Sequence, residues 1–159
     1  MANTGPKLPA LDPAEVKAVE GSSYPDKYKP RVAGRVKRRL GDALGLKNFG
    51  ANLTTIKTGA SSALRHWHSH EDEFIYMLAG ELVLVSDGGE QALTPGMCAG
   101  FPAGKANGHC LVNRSGRDAV YLEVGDRDPR DDVTYPDDNL LALGTPQGRR
   151  FTRKDGMPY

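Results

Sequence analysis

Cysteine is scarce in this chain of 159 residues, which contains only Cys98 and Cys110. Two thiols are too few for the disulfide framework of a small secreted domain. They are also too few for a metal site built from several thiolates. We predict that both are small buried side chains, and that Cys110 points away from any site that its neighbour His109 faces.

The chain has neither a large excess of charge of one sign nor a long apolar run. Lys and Arg total 21 and Asp and Glu total 20, so the net charge is +1, without the general basic field of nucleic-acid binders. No stretch approaches the roughly 18 apolar residues of a membrane span. Residues 1–13 lack the apolar core of a signal peptide. We therefore predict a soluble, cytoplasmic protein that binds neither nucleic acid nor a membrane.

Short apolar runs predict an all-β, antiparallel fold in one domain. The chain is 38% hydrophobic and 26% charged, which is typical of a globular protein. Eight runs separated by Gly, Pro, Asp or Asn favour a sandwich or barrel over alternating strands and helices. The runs are 51–58, 62–69, 73–79, 81–87, 90–95, 97–102, 109–113 and 119–126. Asp87, Gly88 and Gly89 give the strongest hairpin signal.

We divide the domain into three segments. Residues 1–49 form an N-terminal arm packed on the barrel, residues 50–126 the barrel, and residues 127–159 a tail that completes the same domain. The tail is polar and Pro-rich. It is therefore predicted to be irregular, with one edge strand at residues 133–135.

The arm carries two distinct signals. Asp12, Pro13 and Glu15 form a helix-start signature, which predicts a short helix there. Residues 27–39 then hold seven Lys or Arg residues. This basic segment either lies over a neighbouring subunit or supplies charge to an anionic substrate. Because the arm and the tail have the composition of segments that wrap a partner, we expect a homodimer, the commonest form of self-association.

All four histidines fall in two short blocks, residues 65–80 and 96–113. Successive side chains of a strand point to opposite faces, so His66 and His68 emerge together, with Trp67 on the other face. Two imidazoles can then reach one ion.

A carboxylate and a third imidazole can join them. After a polar turn, Glu73 opens a returning strand that can bring its carboxylate to the same point. The second block, about 30 residues on, supplies His109 at the start of an apolar run, after a turn rich in Gly and Pro. The sequence therefore predicts a metal site of His66, His68, Glu73 and His109.

The donor types narrow the choice of metal. Imidazole with carboxylate suits Mn, Fe, Zn, Ni, Co or Cu better than Ca or Mg, so we predict one divalent transition metal ion. His70 is an alternative ligand, because a strand continuing straight would place it beside His68. The surrounding polar residues favour a turn instead, with Glu71 and Asp72 on a solvated loop face.

These residues resemble the two sequence motifs of the cupin superfamily, over about residues 50–125. The first motif is His66, x, His68, four residues, Glu73, six residues, Gly80; the second is Gly96, five residues, Pro102, x, Gly104, then His109, three residues, Asn113. Four residues separate Gly104 from His109, where the usual pattern has about two. The resemblance implies a jelly-roll barrel, an antiparallel double-stranded β-helix, with the metal inside one mouth.

The predicted metal suggests the chemistry. An octahedral ion with four protein ligands keeps two open positions, and it can act as a Lewis acid on a carbonyl or hydroxyl oxygen. Tyr121 and Glu123 share a strand face and are the candidate catalytic residues that move protons. We predict a metal-dependent isomerase or lyase, similar to sugar phosphate isomerases, for a small polar substrate that includes anionic molecules. The alternatives are a ligand-binding or sensing barrel without turnover and a non-haem iron dioxygenase.

Overall fold

A computed structural model describes residues 9–159, which form thirteen strands and little helix. The strands are β1 (Ala18–Glu20), β2 (Arg35–Arg39), β3 (Phe49–Ile56), β4 (Trp67–His68), β5 (Glu73–Ala79), β6 (Leu82–Ser86), β7 (Gly89–Leu93), β8 (Cys98–Phe101), β9 (His109–Val112), β10 (Ala119–Asp126), β11 (Val133–Tyr135), β12 (Leu140–Thr145) and β13 (Gly148–Thr152). The helices are α1 (Leu40–Ala43) and two 3-10 helices, Pro13–Glu15 and Asp26–Val32. Within the described part of the chain, no helix has the length and apolarity needed to span a membrane. The predicted all-β antiparallel fold is confirmed.

Three antiparallel sheets build the barrel and its additions. Their strand orders are β1-β2-β3-β10-β5-β8, β13-β12-β11-β4 and β7-β6-β9. The inner face of the six-stranded sheet carries core residues because side chains alternate along each strand. In β5, Ile75 and Met77 are buried, whereas Tyr76 and Leu78 are exposed. Glu73, Tyr121 and Glu123 also lie on this inner face.

Two apolar clusters fill the interior. The first, inside the barrel, consists of Ile56, Ile75, Met77, Leu82, Leu84, Leu93, Leu111, Ala119 and Tyr121. The second unites the arm, the barrel and the tail, and consists of Tyr24, Tyr28, Val32, Leu64, Val133, Tyr135, Leu140 and Ala142. The arm and the tail therefore bury each other's apolar side chains against one flank of the barrel.

The hairpin predicted at Asp87 and Gly88 joins β6 to β7 through a two-residue turn, with Ser86 paired to Gly89. Gly89 has a φ of +116°, which glycine adopts without steric strain. Of the two cysteines, Cys110 is buried as predicted. The prediction is wrong for Cys98, which is exposed.

The N-terminal helix predicted near Asp12 is only the three-residue 3-10 helix Pro13–Glu15. Its start is as expected, since the Asp12 carboxylate accepts a hydrogen bond of 2.8 Å from the Ala14 amide. The helix ends because Ala18–Glu20 pairs with β2, and the sheet then satisfies backbone groups that a longer helix would have paired internally. In place of the expected helical arm, the described part of this segment has short helices interspersed with β1 and β2.

The tail is more regular than the sequence predicts. Residues 133–135 form β11 as expected, but it is not an edge strand, because β12 and β4 lie on either side of it. β12 and β13 form a hairpin that the sequence analysis missed. The tail as a whole is polar, and this conceals the alternation in β12, where Leu140 and Ala142 are buried against the arm.

Replacing Leu140 by alanine tests the packing of the tail on the arm. Leu140 is fully buried, so Leu140→Ala should lower the free energy of unfolding by about 2–5 kcal/mol. Leu141→Ala is the matched control, since Leu141 is only half-buried on the other face of β12 and should cost clearly less. Urea denaturation followed by circular dichroism measures both. Equal, small losses would contradict this packing.

Candidate metal centre

The four predicted ligands lie at or next to the ends of β4, β5 and β9, one strand from each of the three sheets. His66 and His68 flank Trp67 at β4, Glu73 opens β5, and His109 opens β9. The backbones of His66 and His109 are direct partners, with each amide donating to the other's carbonyl at 3.1 and 2.8 Å. The predicted alternation holds, since His66 and His68 are buried and Trp67 is half-buried between them. The two motifs therefore meet at one place.

The four side chains converge on one carboxylate oxygen. The Nε2 atoms of His109, His68 and His66 lie 2.9, 3.3 and 3.5 Å from Oε2 of Glu73. Donors bound to one ion at about 2.1 Å are about 3.0 Å apart in an octahedral sphere and about 3.4 Å apart in a tetrahedral one. The spacing and the donor types therefore fit a single divalent transition metal ion.

Hydrogen bonds and stacking orient the imidazoles. Nδ1 of His66 donates to the carbonyl two residues before it at 2.8 Å, and Nδ1 of His68 donates to Oδ2 of Asp131 at 2.7 Å. A proton on Nδ1 leaves the lone pair on Nε2 free for a metal. The His109 ring is held differently, stacked on Phe101 at 3.6 Å with the ring planes 3° apart.

The charges of the centre favour a cation. Burial would raise the pKa of Glu73, but the contacts of the three histidines with its carboxylate together outweigh this effect and hold that pKa well below its usual value. Burial lowers the pKa of His66 and keeps this imidazole neutral. Burial also acts to lower the pKa of His68, but hydrogen bonds to Asp131 and Glu73 prevail and raise it to about 9. An ionised, desolvated carboxylate therefore stands at the meeting point of the donors.

Asp131, which the sequence analysis missed, ties the tail to this centre. It is 1% exposed, and its carboxylate accepts hydrogen bonds from four groups. They are the His68 ring, the amides of His70 and Glu71 at 2.9 and 3.2 Å, and the Arg149 guanidinium at 2.7 Å. Burial acts to raise the pKa of Asp131, but the hydrogen bonds from His68 and the His70 amide, with the charges of His68 and Arg149, together outweigh it and lower that pKa. An aspartate in an acidic, Pro-containing stretch gives no sequence signal of such a role.

A second group of candidate ligands, His68, Glu71 and Asp131, lies at the Nδ1 side of the His68 ring. Arg149 contacts both carboxylates at 2.7 Å, so its fixed positive charge already neutralises them and would repel an ion. The first group is therefore the better metal centre. The prediction that Glu71 lies on a solvated loop face is wrong, because its side chain is only 13% exposed.

His70, the alternative ligand, lies outside both groups. It is exposed, and its Nδ1 contacts the Ser69 hydroxyl at 2.8 Å. The chain turns at these residues, as the polar cluster indicates, so the alternation that buries His68 does not extend to His70. Asp72 is exposed as expected, and it accepts a hydrogen bond from the Ala103 amide.

The centre opens into a cavity of about 640 Å³, within the size range of small-molecule sites. Five basic side chains line it: Arg35, Lys37, Arg39, Arg127 and Arg149. The first three occupy alternate positions of β2, so the strand period turns all of them to the same side. Part of the basic segment 27–39 thus lines the cavity, and its role towards an anionic substrate stays a prediction.

Tyr121 and Glu123, the predicted catalytic residues, also line this cavity. Oε1 of Glu123 accepts hydrogen bonds from Lys37 Nζ at 2.7 Å and Asn52 Nδ2 at 3.0 Å. Oε2 accepts a longer one, of 3.4 Å, from the Tyr121 hydroxyl. Burial raises the pKa of Tyr121 well above its usual value, so the phenol stays protonated.

Residues 52–125 match the family described as Cupin domain. A sugar phosphate isomerase of the cupin superfamily from Silicibacter pomeroyi is 45% identical, with a TM-score of 0.91 over 95% of this chain and 96% of that one. A provisionally assigned sugar phosphate isomerase from Acidithiobacillus ferrooxidans is 30% identical, with a TM-score of 0.71 over 79% and 80% of the two chains. The polyketide cyclase RemF from Streptomyces resistomycificus, 22% identical over 77% and 81%, shares the fold with a TM-score of 0.64. No protein with curated annotation matches the chain.

Metal content tests the ligand set. Protein purified without an affinity tag should carry about one equivalent of a first-row divalent ion, and His66→Ala and Glu73→Ala should lose it because each removes one of four donors. His70→Ala is the matched control, a histidine of the same turn that lies outside the centre, and it should keep the ion. Inductively coupled plasma mass spectrometry measures all four proteins. Loss of the ion in His70→Ala alone would contradict the assignment.

Asp131→Asn tests whether the tail carboxylate orients His68. The amide keeps the shape but removes the charge that holds the Nδ1 proton, so metal affinity should fall about 10- to 100-fold. Asp132→Asn, at the exposed neighbouring residue, should leave the affinity unchanged. Competition against a chromophoric chelator gives the affinities. Equal affinities in wild type and Asp131→Asn would show that the hydrogen bond has no bearing on metal binding.

Proposed function

The chain belongs to the cupin superfamily, and from that premise we propose that it is a metal-dependent isomerase acting on a phosphorylated sugar. The supporting observation is one cavity that joins the group of His66, His68, Glu73 and His109 to the basic side chains of β2. The similarity to two proteins described as sugar phosphate isomerases supports the same substrate class.

A divalent ion held by these four residues would supply Lewis-acid chemistry to a carbonyl or hydroxyl oxygen of the sugar. Imidazole and carboxylate donors suit Mn, Fe, Co, Ni, Cu or Zn. The side chains of the cavity must then hold the sugar, limit its contact with water and move a proton between neighbouring carbons.

We assign the transfer of the proton between the two carbons to Glu123. Lys37 and Asn52 occupy its Oε1, which leaves Oε2 to accept a proton from one carbon and return it to the next. Glu73 pairs with Gly125 across the sheet, so Glu123 is its diagonal neighbour on the same face, at about 7–8 Å between backbones. A sugar bound at the metal centre is therefore within reach of this carboxylate.

Tyr121 positions that carboxylate. Its hydroxyl stays protonated and points at Oε2 from 3.4 Å, so it acts as a hydrogen-bond donor and not as the base. Gly50 and Gly125 stand beside Glu73 in one row across the sheet and leave room for the substrate there. A Cβ added at Gly125 would lie 3.5 Å from Cγ of Glu73.

Interconversion of aldose and ketose phosphates tests this function. Metal-loaded protein should interconvert at least one pair in a panel of pentose and hexose phosphates, with solvent deuterium entering the transferred position, as proton NMR in D₂O detects. Glu123→Gln should lower kcat about 10²- to 10⁴-fold, because the amide cannot accept the proton.

Glu90→Gln is the control for that variant, because Glu90 is an exposed glutamate paired with Arg114 outside the cavity. It should keep full activity. If sugar phosphates bind in a metal-dependent way and none is converted, the isomerase is refuted, and a binding barrel without turnover is supported in its place.

A further inference from the structure

Four of the five basic side chains in the cavity wall are paired with acids of the same chain, and two of the four share Asp42. The ion pairs are Lys37–Glu123 at 2.7 Å, Arg39–Asp42 at 3.9 Å, Arg127–Asp42, and Arg149 with Glu71 and Asp131 at 2.7 Å each. Arg35 differs from them. Among residues 9–159, no carboxylate lies within 4.0 Å of the Arg35 guanidinium. Its positive charge in the cavity therefore has no acidic partner among these residues.

Backbone carbonyls hold Arg35 in place without neutralising it. Nε and Nη2 donate to the Gly21 carbonyl at 3.2 and 2.8 Å, and Nη1 donates to the Ser62 carbonyl at 2.9 Å. A guanidinium has five N–H groups, so one donor remains on each terminal nitrogen. The group is therefore an oriented cation with two donors to spare.

The surroundings make an unpaired charge unfavourable. Arg35 is itself half-buried, and it borders the buried phenols Tyr24 and Tyr135. Burial raises the pKa of both phenols, and the charge of Arg35 opposes that rise, so its field reaches into the dry part of the cavity. A cation in such a place gains most from an anion that enters with the substrate.

We propose that Arg35 binds the phosphate group of the substrate through the free N–H groups of its two terminal nitrogens. The identity of this anion rests on the proposed function, while the need for an anion rests on the geometry of Arg35 alone. Planar guanidinium donors suit phosphate oxygens better than a lysine ammonium does.

Arg35 and the metal centre lie apart along the sheet. Arg35 pairs with Ile56, which pairs with Ala119, six residues along β10 from the Gly125 that faces Glu73. Six strand residues span about 20 Å, and the facing side chains close part of that gap. Arg35 and the metal centre therefore lie at separate ends of one cavity.

Calorimetric titration with inorganic phosphate tests the subsite on the metal-loaded protein. Arg35→Met should weaken phosphate binding about 10- to 100-fold, the value of charge-assisted hydrogen bonds lost without replacement. Arg38→Met is the matched control, because Arg38 is an arginine of the same strand that donates to the carbonyls of Ala14 and Val16 instead of lining the cavity. It should bind phosphate like the wild type.

Arg35→Lys keeps the test valid if Arg35→Met does not fold. The lysine keeps the charge and loses the planar donor pair, so a smaller but measurable weakening is expected. Unchanged phosphate binding in Arg35→Lys and in any folded Arg35→Met would overturn the proposal. Phosphate affinity that falls in His66→Ala and not in the Arg35 variants would overturn it too, because the anion would then sit on the metal centre.

These experiments test the phosphate subsite and the isomerase function separately. Arg35-dependent phosphate binding in a protein that isomerises no sugar phosphate would refute the proposed function and keep the subsite. If the protein isomerises a sugar phosphate but its phosphate affinity is unchanged in the Arg35 variants, the proposed function is kept and the subsite is refuted.

Discussion

One desolvated carboxylate, Glu73, sets the conditions for the rest of the site. A buried negative charge is unfavourable unless hydrogen bonds and positive charge compensate it, and here three imidazole nitrogens meet a single oxygen. From Glu73 the charges alternate outward through His68, Asp131 and Arg149 to Glu71. Each group in this series contacts the next one, which carries the opposite charge. A divalent ion at the inner end would complete the compensation with its own charge.

This series explains why the tail belongs to the site. Asp131 precedes β11, and β11 pairs directly with β4, which places the carboxylate against Nδ1 of His68. Arg149 comes from β13, two strands further out in the same sheet. The match to the Cupin domain family ends at residue 125, so both groups lie outside the part of the chain that carries the family motifs. The tail thus adds to the metal centre as well as to the second apolar cluster.

Strand parity made much of the site predictable. A period of two places His66 and His68 on one face, and the returning strand brings Glu73 to them, because each depends only on local alternation. The burial of Asp131 was not predictable, since it follows from the pairing of β11 with β4, more than 60 residues away in sequence. Arg35, Lys37 and Arg39 share one face of β2. Because Arg38 on the other face is also basic, the sequence shows a run of charges and no alternation of basic and apolar residues. The cytoplasmic location and the homodimer stay predictions.

Anomalous X-ray diffraction at the absorption edge of the bound metal, on crystals of the protein with its own ion, tests whether these four residues hold the ion. We predict one peak about 2.0–2.2 Å from Nε2 of His66, His68 and His109 and from Oε2 of Glu73. A peak at the Nδ1 side of His68, between Glu71 and Asp131, would contradict it. So would the absence of any peak at the four residues in crystals whose protein carries a full equivalent of the ion.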